Sequence, residues 1–219
     1  METKSNEQFT SNADYINEEV EALRIRLQLH DAQTQLRQAE REAETGEVGR
    51  HRQFGVRELR GLVHELSHRE QEKRDEINSR LETHRANPDN NKLGIDRLCD
   101  HFSLDGDERA VILALFFVAL SRSLSSELAA DGLFCGCTSV DDIVTTVLGA
   151  HSVADILRGR ARFLPGSRLR QAGVIVEPYQ GVAHAGVLPE ANVWLSSKAF
   201  SFACGISETE LPSDDSSDE

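Results

Sequence analysis

The chain has 219 residues, 39% of them hydrophobic and 28% charged, with a formal net charge of −13. That length supports one or two domains with a sizeable buried core. The acid excess excludes a surface that coats nucleic acid indifferently to sequence, which has to be basic. The longest apolar run, the eleven residues 110–120 between Arg109 and Arg122, is too short for a membrane span of about 20 residues.

Residues 1–13 are polar, lack an apolar signal core and read as a flexible N-terminus. Asn12 or Asp14 is placed to cap a helix running to about Glu44. Ile16, Val20, Leu23 and Leu27 follow the four-three-four spacing of a heptad seam, which weakens through His30 and Thr34. Two glycines, Gly46 and Gly49, predict a break at 45–49. A second helix is predicted over about 50–85, with Leu59, Leu62, Val63 and Leu66 and then Ile77 and Leu81. Charges such as Arg69, Glu70, Lys73 and Asp75 crowd its outer side, many in opposite pairs three or four residues apart. Neither helix can bury its stripe alone. Residues 14–86 are therefore expected to form a coiled-coil arm, either folded back as a hairpin or paired with other chains.

Pro88 inside an Asn/Asp cluster marks a linker at 87–91, after which the composition changes. Leu93, Ile95, Leu98 and Phe102 predict a short amphipathic helix, and Ser103 or Asp105 then caps a helix starting near Asp107. Residues 111–120 are apolar on nearly every side, so this helix should be the central one. Ser139 is expected to cap a short helix closed by Gly149, and Ser152 another; a third covers 167–172, with Gly173 as its C-cap. The β-branched residues 174–176 predict a strand, 178–186 a Pro/Gly-rich turn, and 193–195 a returning strand. Ser196 caps a last helix closed by Gly205. Residues 207–219 carry six acids and no base and read as an acidic disordered tail or linker. The fold class expected is mainly α: a long helical coiled-coil arm followed by a winged-helix-like α+β domain over 92–206.

Three stretches carry a more specific resemblance. Leu98, Phe102, Leu104, Glu108 and Arg109 open an apolar helix. Phe-Leu-Pro-Gly-Ser-Arg-Leu-Arg-Gln-Ala-Gly-Val-Ile at 163–175 steps into the first strand. Val193-Trp194-Leu195-Ser196 leads to Phe202-Ala203-Cys204-Gly205. Together they resemble the N-terminal winged-helix region of prokaryotic AAA+ ATPases, over about half of the chain. The resemblance implies a protein-docking unit associated with an ATPase module in cis or in trans. The chain departs from that family in having no Gly-x-x-x-x-Gly-Lys-Ser/Thr phosphate loop, so ATP hydrolysis does not carry over to these residues.

His64-Glu65-Leu66-Ser67-His68 matches the zincin His-Glu-x-x-His, with Glu65 in the place of the general base; this is the remote alternative of a zinc metallopeptidase-like site. Its flanks are those of a solvated helix, and His84 lies about four turns further along. Cys135-Gly136-Cys137 is tighter than zinc-ribbon spacing, and only Cys99 and His101 are at hand to complete a set. No nucleophile elbow is present. No catalytic residue, cofactor or metal site is therefore assigned. With no secretory signal, Cys99, Cys135, Cys137 and Cys204 are expected as reduced thiols in a cytoplasmic protein.

Arg158, Arg160, Arg162, Arg168 and Arg170 fall within thirteen residues just before the predicted wing and are the candidate contacts to nucleic acid or a partner. Their competing role is to pair with acids of the same chain. The expected function is a non-catalytic protein-interaction and assembly module, self-associating or binding a protein partner through the coiled coil and serving an AAA+ ATPase. The alternative is a DNA-binding winged-helix regulator that dimerises through its helical arm.

Overall fold

The structure is a computed structural model that describes residues 8–44, 50–87, 93–120, 139–176 and 192–205. The predicted break at 45–49, most of the linker, the Cys135/Cys137 pair, the wing turn and the acidic tail lie outside the described residues.

Helix α1 (Asn12–Glu44) and helix α2 (Arg50–Ala86) lie side by side and antiparallel: Glu18 meets Lys73 and Arg80, while Glu40 meets Arg60. The N-cap of α1 differs from expectation. Ser11 Oγ accepts the Asp14 amide at 3.1 Å, and the Asp14 carboxylate in turn accepts the Thr10 amide at 3.0 Å. Asn12 instead bridges two distant segments, accepting the Gly94 amide at 3.0 Å and donating to the Ala203 carbonyl at 2.9 Å.

The rest of the chain is built on α4 (Gly106–Leu120), buried from Ala110 to Phe117 as its apolar composition requires. Asp105 is its cap, accepting the Asp107 and Glu108 amides at 3.0 and 2.9 Å, and the Glu108 carboxylate accepts the Asp105 amide in return. Around α4 stand α3 (Gly94–His101), α5 (Val140–Asp142) continuing into a π-helical turn at Ile143–Val147, α6 (Val153–Ala161), α7 (Arg168–Gln171) and α8 (Ser197–Cys204). Strands β1 (Ile175–Val176) and β2 (Trp194–Leu195) pair antiparallel, with Ile175 opposite Leu195 and Val176 opposite Trp194; Ser139 and Asn192 add one further bridge. Ser139, Ser152 and Ser196 cap their helices as expected, and Gly149, Gly173 and Gly205 all take positive φ.

The long helices do not form a free-standing seam. Leu23 and Leu27, with Ile16 and Val20 packed against them, belong to the same apolar cluster as Ile77, Leu81, Leu98, residues 110–117, Ile143, Leu169 and Phe202. Leu66 lies in a separate small cluster with Leu29, Ala32 and Val63, Leu59 is half-buried, and Leu62 is exposed. The main core therefore includes residues on both sides of the 87–91 connection, and α1 is clasped between α2 on one side and α4 with the π turn on the other.

Two glycines permit the closest approaches. A methyl group at Gly94 would lie 2.3 Å from the Phe202 carbonyl oxygen, and one at Gly149, where φ is +62°, would lie 2.6 Å from His30 Nε2. Gly205 also has positive φ (+68°), but its nearest neighbour would be Asn12 at 3.6 Å. Gly94→Ala and Gly149→Ala should each cost about 1–3 kcal/mol by overpacking, the second with added backbone strain. Gly205→Ala should cost less than either. Urea denaturation of the three variants checks the order.

Candidate functional site

The arginines of the cluster pair with groups of the same chain. On α6, Arg160 donates through Nε and Nη2 to Asp141 at 3.0 and 2.7 Å. Just past its end, Arg162 holds Asp105 at 2.6 Å and Asp107 at 3.0 Å. On α7, Arg168 donates to the Ser103 carbonyl and pairs with Glu108 at 2.9 Å, and Arg170 Nε donates to the Phe163 carbonyl at 3.1 Å. These side chains fasten α6 and α7 to the acidic N-terminal turn of α4 and to α5. Arg158 is different: its side chain is 72% exposed, and it pairs with Asp155 one turn away at 3.6 Å.

A second charged network, which sequence reasoning did not find, lies at the inner face of α1. Glu19 is fully buried and receives Arg109 through Nε at 3.2 Å and Arg74 through Nη1 at 2.6 Å. Arg109 also donates to the Tyr15 hydroxyl and lies 3.5 Å from Asp96, which Arg85 grips through Nε and Nη2 at 2.8 Å each. Burial works against ionisation of Glu19, but the two guanidiniums outweigh it and hold the carboxyl below the usual glutamate range. Asp105 follows the same logic: burial opposes ionisation, and Arg162 with the amides of Glu108 and Asp107 prevails. Burial pushes the Tyr15 hydroxyl well up and the Cys99 thiol up to about 12, so Cys99 is an inert core thiol.

His30 sits where α1 crosses the π turn. Its Nδ1–H donates to the Thr146 carbonyl at 2.9 Å, and burial lowers its pKa against the opposing effect of that bond. Beside it, Arg26 donates to the Val147 carbonyl at 3.1 Å and pairs with Asp107 at 3.0 Å.

The zincin-like residues are not assembled into a centre. His64, Glu65 and His68 are exposed on α2, and His68 Nδ1 lies 3.2 Å from Glu72. Among the described residues, no group of three or more His, Cys, Asp or Glu is placed to hold a metal ion. No helix among them is long and apolar enough to cross a membrane.

What α6 turns outward is mainly apolar. Val153 and Leu157, one turn apart, are 76% and 62% exposed, and Leu164 follows just past the helix. On the ribbon, the cross-strand partners Val176 and Trp194 are both exposed. Short helices around a central one, followed by an antiparallel ribbon and a closing helix, define a winged-helix type of module. A family model described as "Winged helix domain, variant" matches residues 1–211, and the chain belongs to that family. Comparisons with curated proteins and with solved structures each gave no match. The family match takes in both long helices, in keeping with their share of the core.

Two predictions follow from the charges. Glu19→Gln leaves Arg109 and Arg74 without their shared carboxylate and should lower stability by about 3–5 kcal/mol in chemical denaturation. The second concerns pH. Glu19 and Asp105 have lowered folded pKa values, so their contributions are full above the ordinary carboxylate range and disappear as pH falls through the lowered values. His30, also lowered, makes the folded state resist protonation, so stability should already decline as pH falls below about 6.5. His30→Gln should flatten the slope between about pH 7.5 and 5.5 and leave the acid limb in place. Urea midpoints across pH measure both limbs.

Proposed function

We propose that the chain is a non-catalytic protein-interaction module that serves as the partner-recognition region of an AAA+ ATPase, supplied in cis or in trans. Winged-helix domains act in nucleic-acid binding or in protein interaction and are usually non-enzymatic, so the choice rests on the surface. The observation that carries the reading is the outward face of α6. A helix that binds phosphates and reads bases presents free cationic and polar side chains. Here the exposed large apolar positions are Val153 and Leu157, Arg158 is exposed beside them, and Arg160 and Arg162 are engaged by acids of the same chain. Exposed aliphatic side chains beside the exposed Arg158 suit a protein partner with an apolar, acid-rimmed surface. The link to an AAA+ ATPase rests on the resemblance of the stretches opening at Leu98, Phe163 and Val193.

The test looks for a phosphate-loop ATPase encoded in the same or the adjacent reading frame and co-expresses the chain with it; finding none there counts against the reading. Co-expression should give a stable complex, and the double variant Val153→Asp/Leu157→Asp should weaken it at least about tenfold while keeping its own melting temperature, because both positions are exposed. No complex, or one indifferent to the double variant, overturns the reading. Fluorescence anisotropy with duplex DNA separates the regulator alternative. Specific binding that weakens steeply between about 50 and 200 mM salt and depends on Arg158 would decide for DNA.

A further inference from the structure

The far half of α1 carries a feature that the protein-docking reading does not use. Thr34, Arg37, Gln38 and Arg41 are spaced three, one and three residues apart, which sets them on one helix face. His151 approaches this face from the turn before α6, and the five residues line an open cleft of about 310 Å³. All five carry hydrogen-bond donors or can do so, and none is acidic. Thr34 Oγ1 donates to the His30 carbonyl at 2.9 Å, which commits its proton and leaves the oxygen to accept from His151 Nε2 at 3.3 Å. The imidazole is thereby oriented and held against the helix.

Arg37, which lines the cleft, differs from the guanidiniums gathered at Glu19. Its Nη1 is buried and has no hydrogen-bond partner. Arg24 Nε, also on α1, is likewise buried without a hydrogen-bond partner, whereas the guanidiniums at Glu19 meet a carboxylate. With that donor unsatisfied the charge of Arg37 has no partner at Nη1, and an anion against the part of the side chain that lines the cleft would compensate it. Arg41, one turn further along, supplies a second fork suited to bidentate contact with a tetrahedral oxyanion.

We propose that this cleft binds a compact phosphoryl dianion: inorganic phosphate or the phosphate of a small phosphomonoester. Charge favours a small ligand over a nucleic-acid backbone. A polyanion needs an extended basic track, whereas these two arginines lie on a chain of net charge −13, with Asp31, Glu40 and Glu42 on the same helix. A single dianion meets the two guanidiniums without crossing that acidic surround.

The test is an NMR titration of the full chain with inorganic phosphate at constant ionic strength in chloride. It follows the Arg37 Nε–H and His151 ring resonances, with melting temperature recorded in parallel. Saturable shifts are expected, with a rise in melting temperature once phosphate exceeds its Kd by about tenfold. Arg37→Gln and Arg41→Gln should each weaken binding at least about tenfold, and Arg57→Gln, an exposed arginine on α2, should leave it unchanged. Arg41 is exposed, so its variant keeps the test valid should the Arg37 variant fold poorly. Glycerol phosphate distinguishes the sources: tighter binding than inorganic phosphate identifies an esterified ligand, equal or weaker binding the free ion, and both support the site. Absence of saturable shifts, or phosphate binding unchanged in both variants, overturns it. Duplex DNA that binds through Arg37 and is not displaced by inorganic phosphate also overturns it.

Discussion

The buried Glu19 carboxylate is the constraint on which the arrangement of the long helices rests. A fully buried carboxylate is tolerable only when opposite charge and hydrogen bonds replace its lost water. Glu19 obtains both from two directions, Arg74 on α2 and Arg109 on α4. A side chain on α1 thus sets the positions of the helix on either side of it. Tyr15, one turn earlier, meets the same guanidinium, and Arg109 also approaches Asp96 on α3. Four helices therefore share one ionic centre inside an apolar cluster. Apolar contact is indifferent to a shift of one turn, but this centre is not, because moving α1 by a turn would leave two cations and a carboxylate unpaired.

The same economy explains the surface of the winged-helix body. The chain has 24 basic residues against 37 acidic ones, so bases are the scarce partner. Arg160, Arg162 and Arg168 bind α6 and α7 to Asp141, Asp105, Asp107 and Glu108, the last three of which form the N-terminal turn of α4. Those acids already favour the helix by capping it and by facing its positive end. The arginines that read in sequence as candidate contacts are thus also engaged within the fold, while α6 exposes Val153 and Leu157 beside Arg158.

Local signals were legible in the sequence to the extent that their causes are local. Ser139, Ser152 and Ser196 bond amides three residues on, and Gly149, Gly173 and Gly205 take a backbone conformation that other residues avoid, so each helix end declares itself. The apolar run at 110–117 likewise announced a central helix. The heptad spacing of Ile16, Val20, Leu23 and Leu27 was equally real, but periodicity shows which face is apolar and not what covers it. That face joins the main core. Glu19 and its partners left no trace, because Arg74 and Arg109 are 55 and 90 residues away along the chain. The π-helical turn is similar: the sequence marks the Gly149 stop, while the wide turn before it answers to α1, whose His30 fills the space beside Gly149. The cleft at Thr34, Arg37, Gln38 and Arg41 was not read from the sequence, because His151, 110 residues beyond Arg41, is brought to it only by the fold.

Helix α1 therefore changes its role along its length. Its first half is an interior element, fixed by Tyr15, Glu19, Leu23 and Leu27. At His30 it crosses the π turn, and beyond that it offers polar side chains to a cleft whose far wall, His151, immediately precedes the Ser152 cap of α6. The cleft and the apolar face of α6 are thus separated by a single capped turn. A ligand that occupies the cleft only when α1 and the α6 turn are docked stabilises that docking by mass action. A partner that requires α6 in place on the body then gains from the same equilibrium, with no further rearrangement. The contacts that join the two regions are Thr34 with His151 and the hydrogen bond from His30 to Thr146, which tie the far half of α1 to the chain leading into α6.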